Sequence, residues 1–211
     1  MATLVIDTCL AACQVALFDG ERLVFGLSEP MQRGHQERLA PMAAEVMAGA
    51  KFSFAQVTKI AVTIGPGSFT GLRVGLAFAK GLHLATGAPL AGIGTLAALA
   101  ASASTDGLSA GVIDARRGMV YLQGFDNGDP LSVPDILPAA EAAMRLEAMS
   151  PGLWRVVGPG AGLLADADNT DTVDLAAPDL LALGEVAATT RPSDRVTPLY
   201  LRAPDAKPMA T

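Results

Sequence analysis

The chain has 211 residues, of which 51% are hydrophobic and only 17% are charged, and its formal net charge is −6. That charge argues against tight autonomous binding to nucleic acid, which needs a basic surface. No stretch approaches the ~20 uninterrupted apolar residues of a membrane span, and the first residues lack the positive region of a signal peptide. We therefore expect a cytoplasmic protein, not bound to a membrane, with a large buried or partner-covered surface.

The N-terminal half alternates between short apolar strands and helices. Turn residues such as Asp19-Gly20 separate the first three strands. A glycine-bearing helix follows the fourth strand and is treated below. The other expected elements are strands at 3–7, 13–18, 22–28, 59–64 and 89–93, and helices at 35–49 and 95–103.

The stretch 65–82, GPGSFTGLRVGLAFAKGL, predicts a helix capped by Ser68. Each interior glycine costs about 1 kcal/mol relative to alanine, so another backbone is expected to approach closely. Helical periodicity places Gly71 and Gly75 on the side opposite Leu72 and Leu76. That side is covered by a second helix of this chain or by a partner, and the periodicity does not decide between them.

The C-terminal half repeats two signatures of the N-terminal half in the same order. The run 5–8, VIDT, recurs as VIDA at 112–115, and 64–68, IGPGS, recurs as VGPGA at 157–161. We therefore predict an internal duplication, with halves at 1–104 and 105–211. Expected elements of the second half are strands at 119–125, 131–136 and 155–157, a helix at 138–149 and an extended tail at 198–208.

Two βββαβα-type halves, each opening with a strand that ends in aspartate, predict an α/β fold of the duplicated actin-like ATPase and sugar-kinase (ribonuclease H-like) class. In that architecture Asp7 and Asp114 would hold a metal–nucleotide, with Gly158 and Gly160 beside the base. The first hairpin lacks the glycines that let a backbone cradle phosphate. We therefore favour a structural role for these residues; a weak or interfacial ATP or ADP site stays open, as does an independent nucleotide-using enzyme.

Five segments together resemble one family. They are IDT at 6–8, HQERLAP at 35–41, GPGSFTGLRVGLAFAKGL at 65–82, DARRGMVY at 114–121 and PLYLRAPDAKP at 198–208. They are similar to the TsaB (YeaZ) family, the dimerisation subunit of the bacterial tRNA threonylcarbamoyladenosine machinery. The resemblance implies a paralogue of the catalytic subunit TsaD. With TsaD and the ATPase TsaE, such a subunit supports transfer of threonylcarbamoyl from threonylcarbamoyl-adenylate to N6 of the adenosine beside the anticodon.

The resemblance also distinguishes the two paralogues. TsaD-like chains carry an H-x-x-x-H metal pair just after the strand that follows the glycine-bearing helix. Here Thr95 and Leu99 stand at those positions, and neither binds a transition metal as imidazole does. We therefore expect no catalytic residue and no metal ligand. The two cysteines, Cys9 and Cys13, are expected to be structural thiols.

The family implies binding to a TsaD-type subunit through the two N-terminal helices, a complex that includes a TsaE-type ATPase, a homodimer when alone, and tRNA contact only through the complex. The expected partner surface comprises His35, Leu39, Met42, Val46, Phe69, Gly71, Arg73, Val74, Gly75, Phe78 and Leu82.

Overall fold

The computed structural model describes residues 1–103 and 106–202. A first, five-stranded sheet has the spatial order β3-β2-β1-β4-β5. Its strands are β1 (Ala2–Asp7), β2 (Ala12–Asp19), β3 (Arg22–Pro30), β4 (Lys59–Gly65) and β5 (Leu90–Gly94). The central strand β1 pairs antiparallel with β2 and parallel with β4, and β5 continues the parallel side.

Helices cover both faces of this sheet. They are α1 (His35–Ala50), α2 (Phe69–Thr86), α3 (Thr95–Ala101) and α5 (Leu180–Thr189), whereas α4 (Ala139–Met149) packs on a second sheet. Because side chains alternate along a strand, Leu4 and Ile6 lie in the core under α1 and α2, whereas Val5 lies in the core under α3 and α5. The sheet is therefore buried on both sides. The alternation explains why β1, β2 and β4 are almost continuously apolar.

A second sheet repeats this plan and confirms the predicted actin-like duplicated class. Its strands are β6 (Leu108–Arg116), β7 (Met119–Asp126), β8 (Asp129–Pro130), β9 (Asp135–Pro138), β10 (Trp154–Val157) and β11 (Thr170–Val173). The main path is β11-β10-β6-β7-β8, with β9 also on β7. As β1 does in the first sheet, β6 pairs antiparallel with the strand after it and parallel with the strand after the helix.

The second half departs from the first in two places. The counterpart of α2 is a single 3₁₀ turn, Ala161–Leu164, so the repeated glycine motif does not open a long helix here. The strand predicted at 131–136 is correct only at residues 135 and 136, which open β9, because residues 131–134 lie outside β8 and β9. Pro130 and Pro134 bracket this gap, and proline cannot donate to a ladder.

The two halves share packing elements. Helix α3 lies between the sheets, with Leu96 and Leu99 against Ile113. Helix α5, although late in the chain, packs on the first sheet through Leu183 and Ala187. The division at residue 104 stays a prediction, and most of the predicted tail, 203–208, lies outside the described residues. No helix in the described part of the chain combines the length and apolarity needed to span a membrane.

Candidate functional site

Helices α1 and α2 lie side by side on the first sheet, and a groove of about 460 Å³ opens on their outer surface. Among the described residues, Arg73 is the sole charged residue that lines the groove. The lining residues are Gln36, Leu39, Ala40, Phe69, Thr70, Arg73, Val74, Ala77 and Phe78. We call this set the α1–α2 groove. An apolar groove between two helices can accept the apolar face of a partner helix.

Three of the four residues predicted on α1, His35, Met42 and Val46, do not reach the outward surface, and this part of the prediction was wrong. Met42 and Val46 are fully buried in the core of the first sheet, and Leu39, 1% exposed, forms only the floor of the groove. His35 is also buried, and its Nε2 donates to the carbonyl of Ala12 at 3.2 Å. The cause is geometric, because the large apolar side of an amphipathic helix is the one that the sheet covers.

The interface assignment of the two glycines was also wrong. Gly71 and Gly75 lie on the buried side of α2, facing the end of β1. A Cβ on Gly71 would overlap the carbonyl oxygen of Thr8, and one on Gly75 would come within 2.5 Å of Thr8 Oγ1. The close approach that these glycines permit is therefore made by this chain's own hairpin, not by a partner.

Five of the predicted residues remain at the outer side of α2. Phe69 is 38% exposed and Arg73 is exposed. Val74, Phe78 and Leu82 are half-buried, each packing against the first core. They flank the groove or line it, and whether a partner contacts them stays a prediction.

Among the described residues, sequence reasoning missed five of this surface, namely Gln36, Ala40, Thr70 and Ala77, which line the groove, and Tyr200. Ala40 and Ala77 line the groove and are exposed, and their small size between larger apolar residues was the available signal. Tyr200 stacks on Phe69 with 5.3 Å between ring centroids. It lies in the tail motif, but nothing in its local sequence indicates which helix it contacts.

The cleft between the two halves contains the hairpins that would hold a nucleotide in this fold class. Asp7 is fully buried, and its Oδ1 accepts hydrogen bonds from Thr63 Oγ1 at 2.6 Å and from the amide of Cys9 at 3.0 Å. Its Oδ2 has no hydrogen-bond partner in residues 1–103 and 106–202. Burial raises the pKa of this carboxyl above its ordinary value, although the hydrogen bond from Thr63 opposes the shift. A carboxyl sealed in this way cannot reach a metal–nucleotide.

Backbone amides at this hairpin and in the loop against it donate to carbonyls of the chain itself. The amide of Ala11 donates to the carbonyl of Ala176 at 3.4 Å, and the amide of Ser68 donates to the carbonyl of Cys9 at 2.7 Å. A Cβ on Gly67 would overlap that same Cys9 carbonyl, so the loop is pressed onto the hairpin. A phosphate would therefore have to compete with these carbonyls for the two amides.

The remaining nucleotide candidates have internal partners as well. Asp114 accepts from the backbone amide of Arg116 at 2.7 Å and from its guanidinium at 3.2 Å. A Cβ on Gly158 would overlap the carbonyl of Val112, and one on Gly160 would lie 2.7 Å from the amide of Asp114. These glycines allow the loop after β10 to pack against β6. The residues present do not fit a metal–nucleotide held between Asp7 and Asp114.

The positions of the missing histidines lie in the interior. Thr95 and Leu99 are both fully buried in α3, and Leu99 packs between the two sheets. Within residues 1–103 and 106–202, no three His, Cys, Asp or Glu side chains lie together as a metal ligand set. Cys9 and Cys13 are buried free thiols, and burial raises the pKa of Cys9 to about 12.

Comparison with known proteins gives consistent matches. Residues 29–145 match the family model described as TsaD, tRNA N6-adenosine threonylcarbamoyltransferase. The chain is 34% identical over 175 residues to the tRNA threonylcarbamoyladenosine biosynthesis protein TsaB of Escherichia coli K12, covering 76% of this chain and 72% of that protein. It is 33% identical to an uncharacterized protein of Mycobacterium tuberculosis H37Rv, covering 98% of this chain and 94% of the relative.

Solved structures give the same picture. YeaZ from Pseudomonas aeruginosa superposes with a TM-score of 0.82 at 27% identity, covering 95% of this chain and 99% of that one. The ROK hexokinase from Thermus thermophilus superposes with a TM-score of 0.53 at 15% identity, covering 90% of this chain and 98% of the hexokinase. The similarity to the hexokinase is evidence for the fold only.

Proposed function

This chain belongs to the TsaB family, and from that premise we propose that it is a non-catalytic subunit which binds and organises a TsaD-type catalytic subunit. Its role lies in the biosynthesis of threonylcarbamoyladenosine in tRNA. In the proposed assembly, which also includes a TsaE-type ATPase, the catalytic subunit transfers threonylcarbamoyl from threonylcarbamoyl-adenylate to N6 of the adenosine beside the anticodon.

The α1–α2 groove is the observation that carries the proposal. It exposes Phe69, Ala77 and part of Phe78 on one continuous surface. Such a surface is typical of protein interfaces, where aromatic residues and arginine are enriched and other charges are depleted. The match of residues 29–145 to a TsaD model supports a partner of the same fold, since two copies of one fold can pair through equivalent helices.

The proposal that this subunit is non-catalytic rests on Thr95 and Leu99. Both are fully buried and neither supplies an imidazole, so this chain offers no metal ligand at the position where TsaD-like chains carry their histidine pair. The alternative, an independent nucleotide-using enzyme, is disfavoured by the buried Asp7 and by the internal hydrogen bonds of the Ala11 and Ser68 amides beside it.

A reconstitution experiment tests the proposal. The chain is co-expressed with a TsaD-type subunit, and the pair is assayed for transfer from threonylcarbamoyl-adenylate to unmodified tRNA, with each protein alone as a control. We expect co-purification, and transfer that requires the TsaD-type subunit and is enhanced by this chain. Turnover by this chain alone, or failure to co-purify, contradicts the proposal.

Binding to tRNA gives an independent check. A net charge of −6 supplies little of the phosphate neutralisation on which nucleic-acid affinity depends. The isolated chain is therefore expected to bind tRNA weakly at physiological salt, and affinity is expected to arise in the complex. If this chain alone bound tRNA tightly and in a salt-sensitive way, the expectation that tRNA is contacted only through the multi-subunit assembly would be contradicted.

A further inference from the structure

The segment 198–202 crosses the N-terminal end of α2 and is tied down on both sides. The amide of Leu199 donates to the carbonyl of Ile64 at 2.7 Å, at the end of β4. Arg202 Nη1 donates to the carbonyl of Ala115 at 3.1 Å, in the second half. Tyr200 lies between these two anchors, where its ring packs against Phe69 at one end of the α1–α2 groove.

Tyr200 and Phe69 together hold the side chain of Arg73. Arg73 Nε donates to Tyr200 Oη at 3.1 Å, and the guanidinium carbon lies 3.7 Å from the centroid of the Phe69 ring. A free arginine side chain loses up to about 2 kcal/mol of rotamer entropy when a ligand immobilises it. Here much of that ordering is already present before any partner binds.

The guanidinium of Arg73 still has unused donors. Arginine has five N–H donors, and in the described residues only Nε of Arg73 has an acceptor. Arg38 on the neighbouring helix shows the opposite state, since Glu29 and Glu45 both accept from its guanidinium. No Asp or Glu of residues 1–103 and 106–202 forms an ion pair with Arg73.

We propose that Arg73 is a preorganised carboxylate anchor for the TsaD-type subunit, and that Tyr200 is the residue that positions it. The two Nη groups would receive one carboxylate of that subunit in a bidentate pair, which is the geometry that a guanidinium fork favours. This inference rests on the proposed function and adds the partner chemistry at one end of the groove.

The surroundings of Arg73 favour a protein carboxylate over the phosphate of an RNA. Every other described residue that lines the groove is uncharged, so a polyanion would find one cation on an otherwise uncharged surface. A second copy of this chain would bring the exposed acid Glu37 of α1, because Glu45 is already paired with Arg38, and that occupant is one outcome of the test. A partner that brings both an apolar helix and an acid of its own satisfies the whole surface.

The test measures binding of the full chain to the TsaD-type subunit by calorimetry at two salt concentrations. Arg73→Gln is expected to weaken binding by about 10- to 100-fold, the range for a charge-assisted bidentate pair, and to reduce the salt dependence. Tyr200→Phe keeps the ring but removes the hydroxyl, and we expect about a threefold to tenfold loss. In a double-mutant cycle, Tyr200→Phe should have no further effect once Arg73 is glutamine. A merely structural role for Tyr200 would instead give additive losses.

Lys80→Gln is the matched control, because Lys80 is an exposed cation of the same helix that does not line the groove. If wild type binds and Arg73→Gln behaves like Lys80→Gln, the anchor is overturned while the proposed function stands. If wild type does not bind at all, the proposed function itself fails. If Arg73→Gln spares the protein complex but weakens tRNA binding by it, or weakens only a homodimer, the carboxylate assignment to the TsaD-type subunit is wrong.

Discussion

Thr8 and Gly71 join the end of β1 to the first turn of α2. Thr8 Oγ1 donates to the carbonyl of Gly71 at 2.7 Å, and the backbone of Thr8 occupies the space that a side chain at position 71 would need. Ser68 caps the same turn, because its Oγ accepts from the amide of Gly71 at 3.3 Å. The N-terminal end of α2 is thus fixed to the sheet by backbone contact, and its outer side remains open.

This contact predicts opposite effects for two glycines of one helix. Gly71→Ala forces a Cβ into the Thr8 carbonyl, and overpacking of this kind typically costs about 1–3 kcal/mol. Gly81 lies in the same helix with nothing within 4 Å of a Cβ, so Gly81→Ala is expected to stabilise by up to about 1 kcal/mol. Urea unfolding of both variants measures the difference. Equal stability of the two would mean that Thr8 moves aside without cost.

Thr8 also determines the expected effect of Gly75→Leu on folding, which is the opposite of the effect expected for a glycine at a partner interface. If Gly75 lay at an interface, leucine at this position would leave the isolated chain folded and would abolish only partner binding. Because Thr8 Oγ1 lies 2.5 Å from a Cβ at position 75, we expect Gly75→Leu to destabilise folding by several kcal/mol. Thermal unfolding of the isolated chain decides between these outcomes.

The exposed Ala77 offers a cleaner test of docking. Ala77→Glu places a charge in the middle of the apolar groove without touching the core, so folding should be retained. We expect loss of the homodimer and of binding to the TsaD-type subunit, because an unpaired charge would be buried at the interface. Ala85→Glu, at an exposed position of α2 outside the groove lining, is the control. Sedimentation equilibrium with each variant provides the measurement. Equal dimer affinities of Ala77→Glu and Ala85→Glu would show that the interface lies elsewhere.

Asp7 predicts a specific pH dependence of stability. Its pKa is raised by burial in the folded state above the ordinary value of 3.8, so folding favours the protonated form. The favourable contribution is fully present below about pH 3.8 and is lost as the pH rises through the folded pKa. Asp7→Asn removes this dependence, and the variant should gain stability relative to wild type as the pH rises from 4 to 8.

Denaturant unfolding at several pH values measures this gain, with the exposed Asp129→Asn as the control. The asparagine carbonyl can still accept the bonds from Thr63 and from the Cys9 amide. A stability difference between Asp7→Asn and wild type that does not change with pH would show that the carboxyl is ionised in both states.

Lys59 ties the C-terminal helix to the first sheet. Its Nζ donates to the carbonyls of Ala187 at 2.5 Å and of Thr190 at 2.6 Å, at the end of α5. Lys59→Met keeps the apolar stem but leaves these carbonyls without their charged donor, and we expect a loss of about 1–3 kcal/mol. Lys80→Met, at an exposed site, should be near neutral. Hydrogen exchange in α5 should accelerate in Lys59→Met, and unchanged exchange there would contradict the capping role.

The sequence by itself determined the class of fold and most of the element order. Strand alternation, the Ser68 cap and the two repeated signatures are local signals, so they could be interpreted without knowing which elements touch. The family resemblance came from contiguous motifs for the same reason. The prolines at 130 and 134 are equally local, and they could have corrected the strand expected at 131–136.

Only the tertiary structure decided which surface is open. Periodicity showed that α2 is apolar on two sides, but the buried side is chosen by the hairpin that carries Thr8 to Gly71 and Gly75. The same holds for α1, whose large apolar residues Met42 and Val46 pack on the sheet, whereas Ala40 is exposed on the outer side. The Tyr200–Arg73 contact joins residues 127 positions apart. Contacts of that kind depend on chain topology, which no local pattern of hydrophobicity or spacing encodes.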